Sequence, residues 1–192
     1  MKTETEILVD FVQRLQPKKV LEVGCNTGKE LSTIEHLTKT YGVDRNGELT
    51  KGKRNLLCAE GNNLPFNSNY FDFVYTDGCL SHNEYPEQIL DEMLRVSREW
   101  ILLIEWVGAK TGTSYSNCKQ GISWIHDYEK LVSTKNIKIL FNRKVPIKAD
   151  LFHVLLLRKD KKINVKIIER TSKEKKESRF LIKLGKFRLE IK

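Results

Sequence analysis

The sequence predicts an α/β protein: a mostly parallel sheet with helices in its crossovers and an antiparallel hairpin at one edge. Three observations predict it. Apolar runs alternate with amphipathic stretches through the first hundred residues, the pattern of strands joined by crossover helices. One such run, Lys18-Lys19-Val20-Leu21-Glu22-Val23, ends in the glycine-bracketed turn Gly24-Cys25-Asn26-Thr27-Gly28, and a helical stretch follows at once. The last two apolar runs have only Pro146 to Asp150 between them, which suits a hairpin.

Taken in order, Ile7, Leu8, Phe11, Val12 and Leu15 recur at helical spacing and Pro17 closes the segment, so an amphipathic helix precedes the first strand. Strands are expected at 18–24, 40–44, 55–59, 71–76, 99–106, 137–145 and 151–159. Helices are expected at about 28–37, 86–97 and 124–134. The crossover at 46–53 is short, a turn or a brief helix. Val107–Ser123, polar and glycine-rich, is expected as a lid or acceptor-reading loop, with Trp124 and Tyr128 available to close one wall. In the C-terminal extension, Ile163–Ile168 and Phe180–Ile191 alternate apolar and charged residues and are expected to pair across the polar Thr171–Ser178 turn.

The chemistry begins at the glycine turn. A glycine there lets the backbone approach a ligand closely, and the following helix points free amides at it. Tyr41-Gly42-Val43-Asp44 ends the next strand in an acid, placed to accept from ribose hydroxyls. A dinucleotide site would use G-x-G-x-x-G, with its third glycine for helix packing around a pyrophosphate. Here the order is Glu22-x-Gly24-x-Asn26-x-Gly28, whose acid repels a pyrophosphate and suits a cation. This resembles motif I of the class I S-adenosylmethionine-dependent methyltransferases, with Asn26 in place of the middle glycine. Asn enters left-handed conformations more readily than most residues.

A longer segment extends the resemblance. Ala59-Glu60-Gly61-Asn62-Asn63-Leu64-Pro65-Phe66, then Tyr70-Phe71-Asp72-Phe73-Val74, is similar to the methyltransferase type 11 group, the ubiquinone/menaquinone-biosynthesis kind. Leu80 and His82, and Arg95-Val96 late in a helix, fall at that group's spacing. Arg98-Glu99-Trp100 replaces the usual Lys-Pro-Gly-Gly. A narrower resemblance, through 71–82 and Ile101–Trp106, is to methylases associated with pseudaminic acid biosynthesis. The resemblance implies a Rossmann-like seven-stranded sheet and S-adenosylmethionine as cofactor. It implies cofactor contacts from Glu22, Gly24, Cys25, Asn26, Gly28, Asp44, Glu60, Gly61, Asn62 and Asn63, with Glu60 taking the adenine amino group. Thr76 and Asp77, at the fourth strand's end, complete that set.

Methyl transfer from a sulfonium is an in-line displacement, and a base is needed only for a hydroxyl or protonated-amine acceptor. Candidates are His82, Asp77 and Glu105, His82 first because its ordinary pKa lies near neutrality. Each has a plainer reading as a lining, capping or loop-holding residue. The Asp/Asn-Pro-Pro-aromatic motif of amino-group nucleic-acid methylases and the Pro-Cys of cytosine C5 methylases are both absent where Thr76-Asp77-Gly78-Cys79 stands.

The chain of 192 residues carries a net charge of +9. Residues 161–192 hold 12 Lys/Arg against 4 Glu, so the basicity belongs to the extension and residues 1–160 read as a near-neutral methyltransferase domain. A small-molecule acceptor at O or N, a metabolite or sugar type, is the expected partner. The alternatives are a nucleic acid or other anionic macromolecule docked on 161–192, or a non-catalytic scaffold. Cys25, Cys58, Cys79 and Cys118 are widely spaced, with no metal-site pattern, and read as reduced thiols. With no apolar leader and no membrane-length run, the expected location is the cytoplasm.

Overall fold

Seven strands pair side by side in the order Leu56–Cys58, Lys39–Asp44, Lys19–Val23, Phe71–Asp77, Ser97–Trp106, Asp150–Lys159 and Ile137–Ile147. The computed structural model describes residues 3–107, 114–118, 121–147, 150–159, 180–184 and 187–191. The sheet is built from β1 (Lys19–Val23), β2 (Lys39–Asp44), β3 (Leu56–Cys58), β4 (Phe71–Asp77), β5 (Ser97–Trp106), β8 (Ile137–Ile147) and β9 (Asp150–Lys159). Strands β1 to β5 pair in parallel, whereas β9 runs antiparallel to both β5 and β8. The order reverses at β1, between β2 and β4, and such a switch point opens a crevice at the carboxyl ends of the strands.

The helices follow from the apolar spacing. α1 (Glu4–Leu15) starts with a capping box, in which the Thr3 hydroxyl accepts from Glu6 N–H and the Glu6 carboxylate accepts from Thr3 N–H. It buries Ile7, Leu8, Phe11 and Val12 against one sheet face. Burial of each such side chain contributes about 1.5–3 kcal/mol. α4 (Pro86–Val96) begins with proline in its first turn, where no amide partner is lost, and buries Ile89, Leu90, Met93 and Val96 on the other face. α2 (Lys29–Ile34) is shorter than expected, and Thr38 Oγ1 donates to Pro17 O where the chain re-enters the sheet. α3 (Gly47–Thr50) is the brief helix expected in the 46–53 crossover.

Two expectations need correction. The stretch expected as a loop holds a hairpin, β6 (Ser114–Cys118) with β7 (Gly121–Trp124), and the following helix α5 is only Tyr128–Ser133. Strand pairing claims Trp124, and the Asp127 side chain accepts Lys130 N–H to start α5 four residues later. In the extension β10 (Phe180–Leu184) pairs antiparallel with β11 (Phe187–Ile191), while Ile163–Ile168, the expected partner of this stretch, lies outside the described residues.

The direction of β9 sets where the chain leaves the seven-stranded sheet. Arg158 lies opposite Trp100, and Lys159 Nζ donates to Asn69 Oδ1, Leu94 O and Ser97 O at 2.7–2.8 Å. The strand therefore finishes where β5 begins, at the opposite end of the sheet from the crevice. Among the described residues no helix is long and apolar enough to cross a membrane.

Candidate active site

The turn after β1 is left-handed at three points: φ is 80° at Gly24, 48° at Asn26 and 76° at Gly28. A Cβ on Gly24 would stand 2.6 Å from Cys79 Sγ, so glycine is required there by backbone and by space. A Cβ on Gly28 would stand 2.8 Å from a Leu56 methyl, so this glycine lets the start of α2 close on β3. Asp44, ending β2, binds the turn directly: Oδ2 accepts Asn26 N–H at 2.8 Å and Oδ1 accepts Asn46 N–H at 2.9 Å.

These pieces surround a cavity of about 570 Å³ at the carboxyl ends of β1, β2 and β4. Of the residues expected at the site, Glu22, Gly24, Cys25, Asn26, Asp44, Glu60, Gly61, Asp77 and His82 line it. The others lie off it. Gly28 packs on Leu56, while Asn62 donates to Gln88 Oε1 on the exposed surface, and Asn63 N–H donates to Glu60 O. Thr76 and Glu105 are fully buried behind the cavity. Trp124 and Tyr128 form no wall of it, and Tyr128 is buried in the core. Lining residues that the sequence reading missed are Glu30, Arg45, Asn46 and Asn83. Each adjoins a recognised position, but no spacing marks its side chain as facing inward.

The loop carrying Glu60 is held from α4. Glu92 Oε2 accepts Leu64 N–H at 2.7 Å, and the Arg95 guanidinium donates to Phe66 O and Leu64 O at 2.7 and 2.9 Å. Glu92 and Arg95 also pair with each other at 2.6 Å. The Arg95 hydrogen bond, with the backbone bond from Leu64, holds the Glu92 carboxyl below its ordinary value. The segment Leu64-Pro65-Phe66 and the Glu-x-x-Arg of α4 are thus two halves of one clamp.

Acids dominate the cavity wall. Glu22 is 2 % exposed and its carboxyl is held well above the ordinary value, chiefly by burial. The Tyr75 hydroxyl beside it works in the opposite sense, and Glu30, Asp77 and Asp44 add repulsion. Glu22 Oε2 has no hydrogen-bond partner, an orphaned acceptor that a cationic group would satisfy. Burial pushes the Cys25 thiol up to about 12 and the Cys79 thiol higher still, so neither is a thiolate nucleophile at neutral pH.

At the other side of the cavity, a 3₁₀ turn, Leu80–His82, carries His82 and is followed by Asn83. Ser123 Oγ lies 3.4 Å from His82 Nδ1, and His126 Nε2–H donates to Asn83 O at 2.8 Å. Glu105 accepts Leu80 N–H and Ser81 N–H at 3.1–3.3 Å, and desolvation pushes its carboxyl up to about 7. The carboxyl of Glu105 therefore meets backbone amides, not the cavity.

Residues 21–100 match the methyltransferase domain family. Norajmaline N-methyltransferase of Rauvolfia serpentina is 30% identical over 43% of this chain and 33% of its own length. The chain spans about a third of the length of the curated relatives it matches. Among solved structures, the Burkholderia thailandensis 1,6-didemethyltoxoflavin-N1-methyltransferase, with 1,6-didemethyltoxoflavin and S-adenosylhomocysteine bound, is similar with a TM-score of 0.64 and 17% identity. That match covers 81% of this chain and 76% of that one. The [4+2]-cyclase SpnF is similar to the same degree, with a TM-score of 0.64, 15% identity and 80% of each chain covered. Matched residues, strand order and the Glu22–Gly28 turn agree in their likeness: residues 21–100 resemble a methyltransferase domain, and the fold is that of the S-adenosylmethionine-dependent methyltransferase of Aquifex aeolicus, at 19% identity and a TM-score of 0.62.

Proposed function

We propose that the chain is an S-adenosylmethionine-dependent methyltransferase acting on O or N of a small metabolite or sugar-type acceptor. One observation carries this reading. A single cavity joins the motif I turn, the ribose-type acid Asp44 and the loop acid Glu60 on one side to Asp77, His82 and Asn83 on the other. The donor set fits the cofactor. Orphaned Glu22 Oε2 faces a cationic end, Asp44 has lone pairs left for ribose hydroxyls, and Glu60 accepts from an amino group. When bound, S-adenosylmethionine supplies a methyl group on a sulfonium, a carbon already activated for displacement.

The protein then has three tasks. The Gly24–Gly28 turn and Asp44 fix the cofactor end, and holding two reactants in line contributes roughly 7–11 kcal/mol to such reactions. The buried wall around Glu22 and Cys25 excludes water. His82 takes the acceptor's proton at Nε2 when Nδ1–H donates to Ser123 Oγ, with Asp77 as the alternative base. The N-methyltransferase names of one curated relative and one solved neighbour support a nitrogen acceptor. A second reading, cofactor binding without methyl transfer, draws support from the cyclase neighbour.

Calorimetric titration with S-adenosylmethionine and S-adenosylhomocysteine tests the reading, with Asp44→Ala and Asp44→Asn as controls. Micromolar binding, weakened at least tenfold by Asp44→Ala, is expected; no binding to the wild type would overturn it. Transfer of labelled methyl to an amine or hydroxyl panel then separates the enzyme from the binding-only case.

A further inference from the structure

The first amides of a helical turn have no partner within it, and burial makes them costly unless a side chain accepts them. The 78–83 segment obeys this at every other point. Ser81 Oγ donates to Gly78 O, His82 N–H to Cys79 O, Asn83 N–H to Leu80 O, and Asn83 Nδ2 to Cys79 O. What remains are the Cys79, Leu80 and Ser81 amides, and all three turn to the Glu105 carboxylate of β5. Glu105 is fully buried, Leu80 fully and Ser81 almost so, and water cannot replace the carboxylate.

We propose that Glu105 is the positioning residue for the acceptor side of the cavity, fixing through the Leu80–His82 turn where the His82 imidazole stands. The proposal rests on the methyltransferase reading for its catalytic consequence, but not for its geometry. Two further bonds, Ser123 to His82 and His126 to Asn83, tie the β7–α5 connection to the same turn. The turn is therefore clasped from below by β5 and from the side by 123–126.

The groups packed around Glu105 give it no counter-charge. Cys79 on the turn and Tyr128 on α5 are both raised by burial and further by its proximity, and both stay neutral. Asp77 of β4 stands beside Ile104 in the ladder. His153, opposite on β9, gives its Nε2 to Asn142 Oδ1 and is lowered by burial. Glu105 thus changes charge near pH 7 with the Thr76 hydroxyl and the backbone amides of the 79–81 turn as its partners.

Amide NMR of the full chain reads this without any acceptor. In the wild type the Leu80 and Ser81 amide signals should move together between pH 5 and 9 with one midpoint near 7. Glu105→Gln should flatten both curves and displace the His82 ring carbon and proton signals from their wild-type positions. Ser123→Ala should move only the ring. Wild-type amides that do not titrate, or that titrate unchanged in Glu105→Gln, would overturn the proposal, and the wild-type test stands even if the variant fails to fold. Once an acceptor is in hand, Glu105→Gln should lower kcat at least tenfold with the KM for S-adenosylmethionine within twofold. Absence of cofactor binding by calorimetry would defeat the functional reading while leaving the amide result intact.

Discussion

Glu22 is a carboxyl whose pKa burial holds well above the ordinary value, at the place where the proposed cofactor would bring a cation. Binding of a cationic ligand should ionise it and release a proton. Release of a proton means affinity rises with pH. Titrating S-adenosylmethionine in buffers of different ionisation enthalpy at pH 7 should show the release, and Glu22→Gln should abolish it. Glu105 supplies a second pH effect, on stability. Its folded value, about 7, lies above the ordinary 4.5, so its contribution is complete below 4.5 and is lost as pH rises through 7. A shift of that size corresponds to about 3 kcal/mol. Urea unfolding at pH 5 and pH 8 should therefore show Glu105→Gln gaining on the wild type at the higher pH, and an equal difference at both would refute it.

At the scale of elements, α4 does more than cover the sheet. Its Glu92 and Arg95 reach across to the Leu64–Phe66 segment, so the loop that follows cavity-lining Glu60 is held from a helix nearly thirty residues away in sequence. Arg95→Ala should lower stability by about 2 kcal/mol, since it strips charge-assisted bonds from two carbonyls. It should also weaken S-adenosylmethionine binding severalfold; unchanged affinity would show that the loop stands without its clamp. Elements with strong periodicity, α1, α4 and the first five strands, were legible from sequence because their apolar spacing has one solution. The 107–134 stretch was not. Trp124, Ile125 and Tyr128 fit a helical stripe, yet the 121–124 strand and the Asp127 cap divide them. The cofactor turn was legible because its glycines and acids are local in sequence. Glu105 had two readings in the sequence, a base or a loop-holding residue, because a strand-end carboxylate carries no sequence mark of facing amides instead of solvent.

The whole molecule separates a near-neutral sheet from a basic stretch that follows Lys159. Lys159 is three times bonded to the start of β5 and to the end of α4, and burial lowers its ammonium. A chain ending at residue 160 should fold independently, with Tm within about 3 °C of the full protein. It should also bind S-adenosylmethionine with affinity within twofold. A larger loss on either measure would make the extension part of the domain.

Because β9 runs against its parallel neighbours, this shortened chain finishes at the rear of the molecule, with the cavity at the front. A linker or affinity handle joined there would hold the protein by its back. On a sensor surface, immobilised molecules would share one orientation with their mouths turned to the flow, and ligand capture would proceed without obstruction by the support.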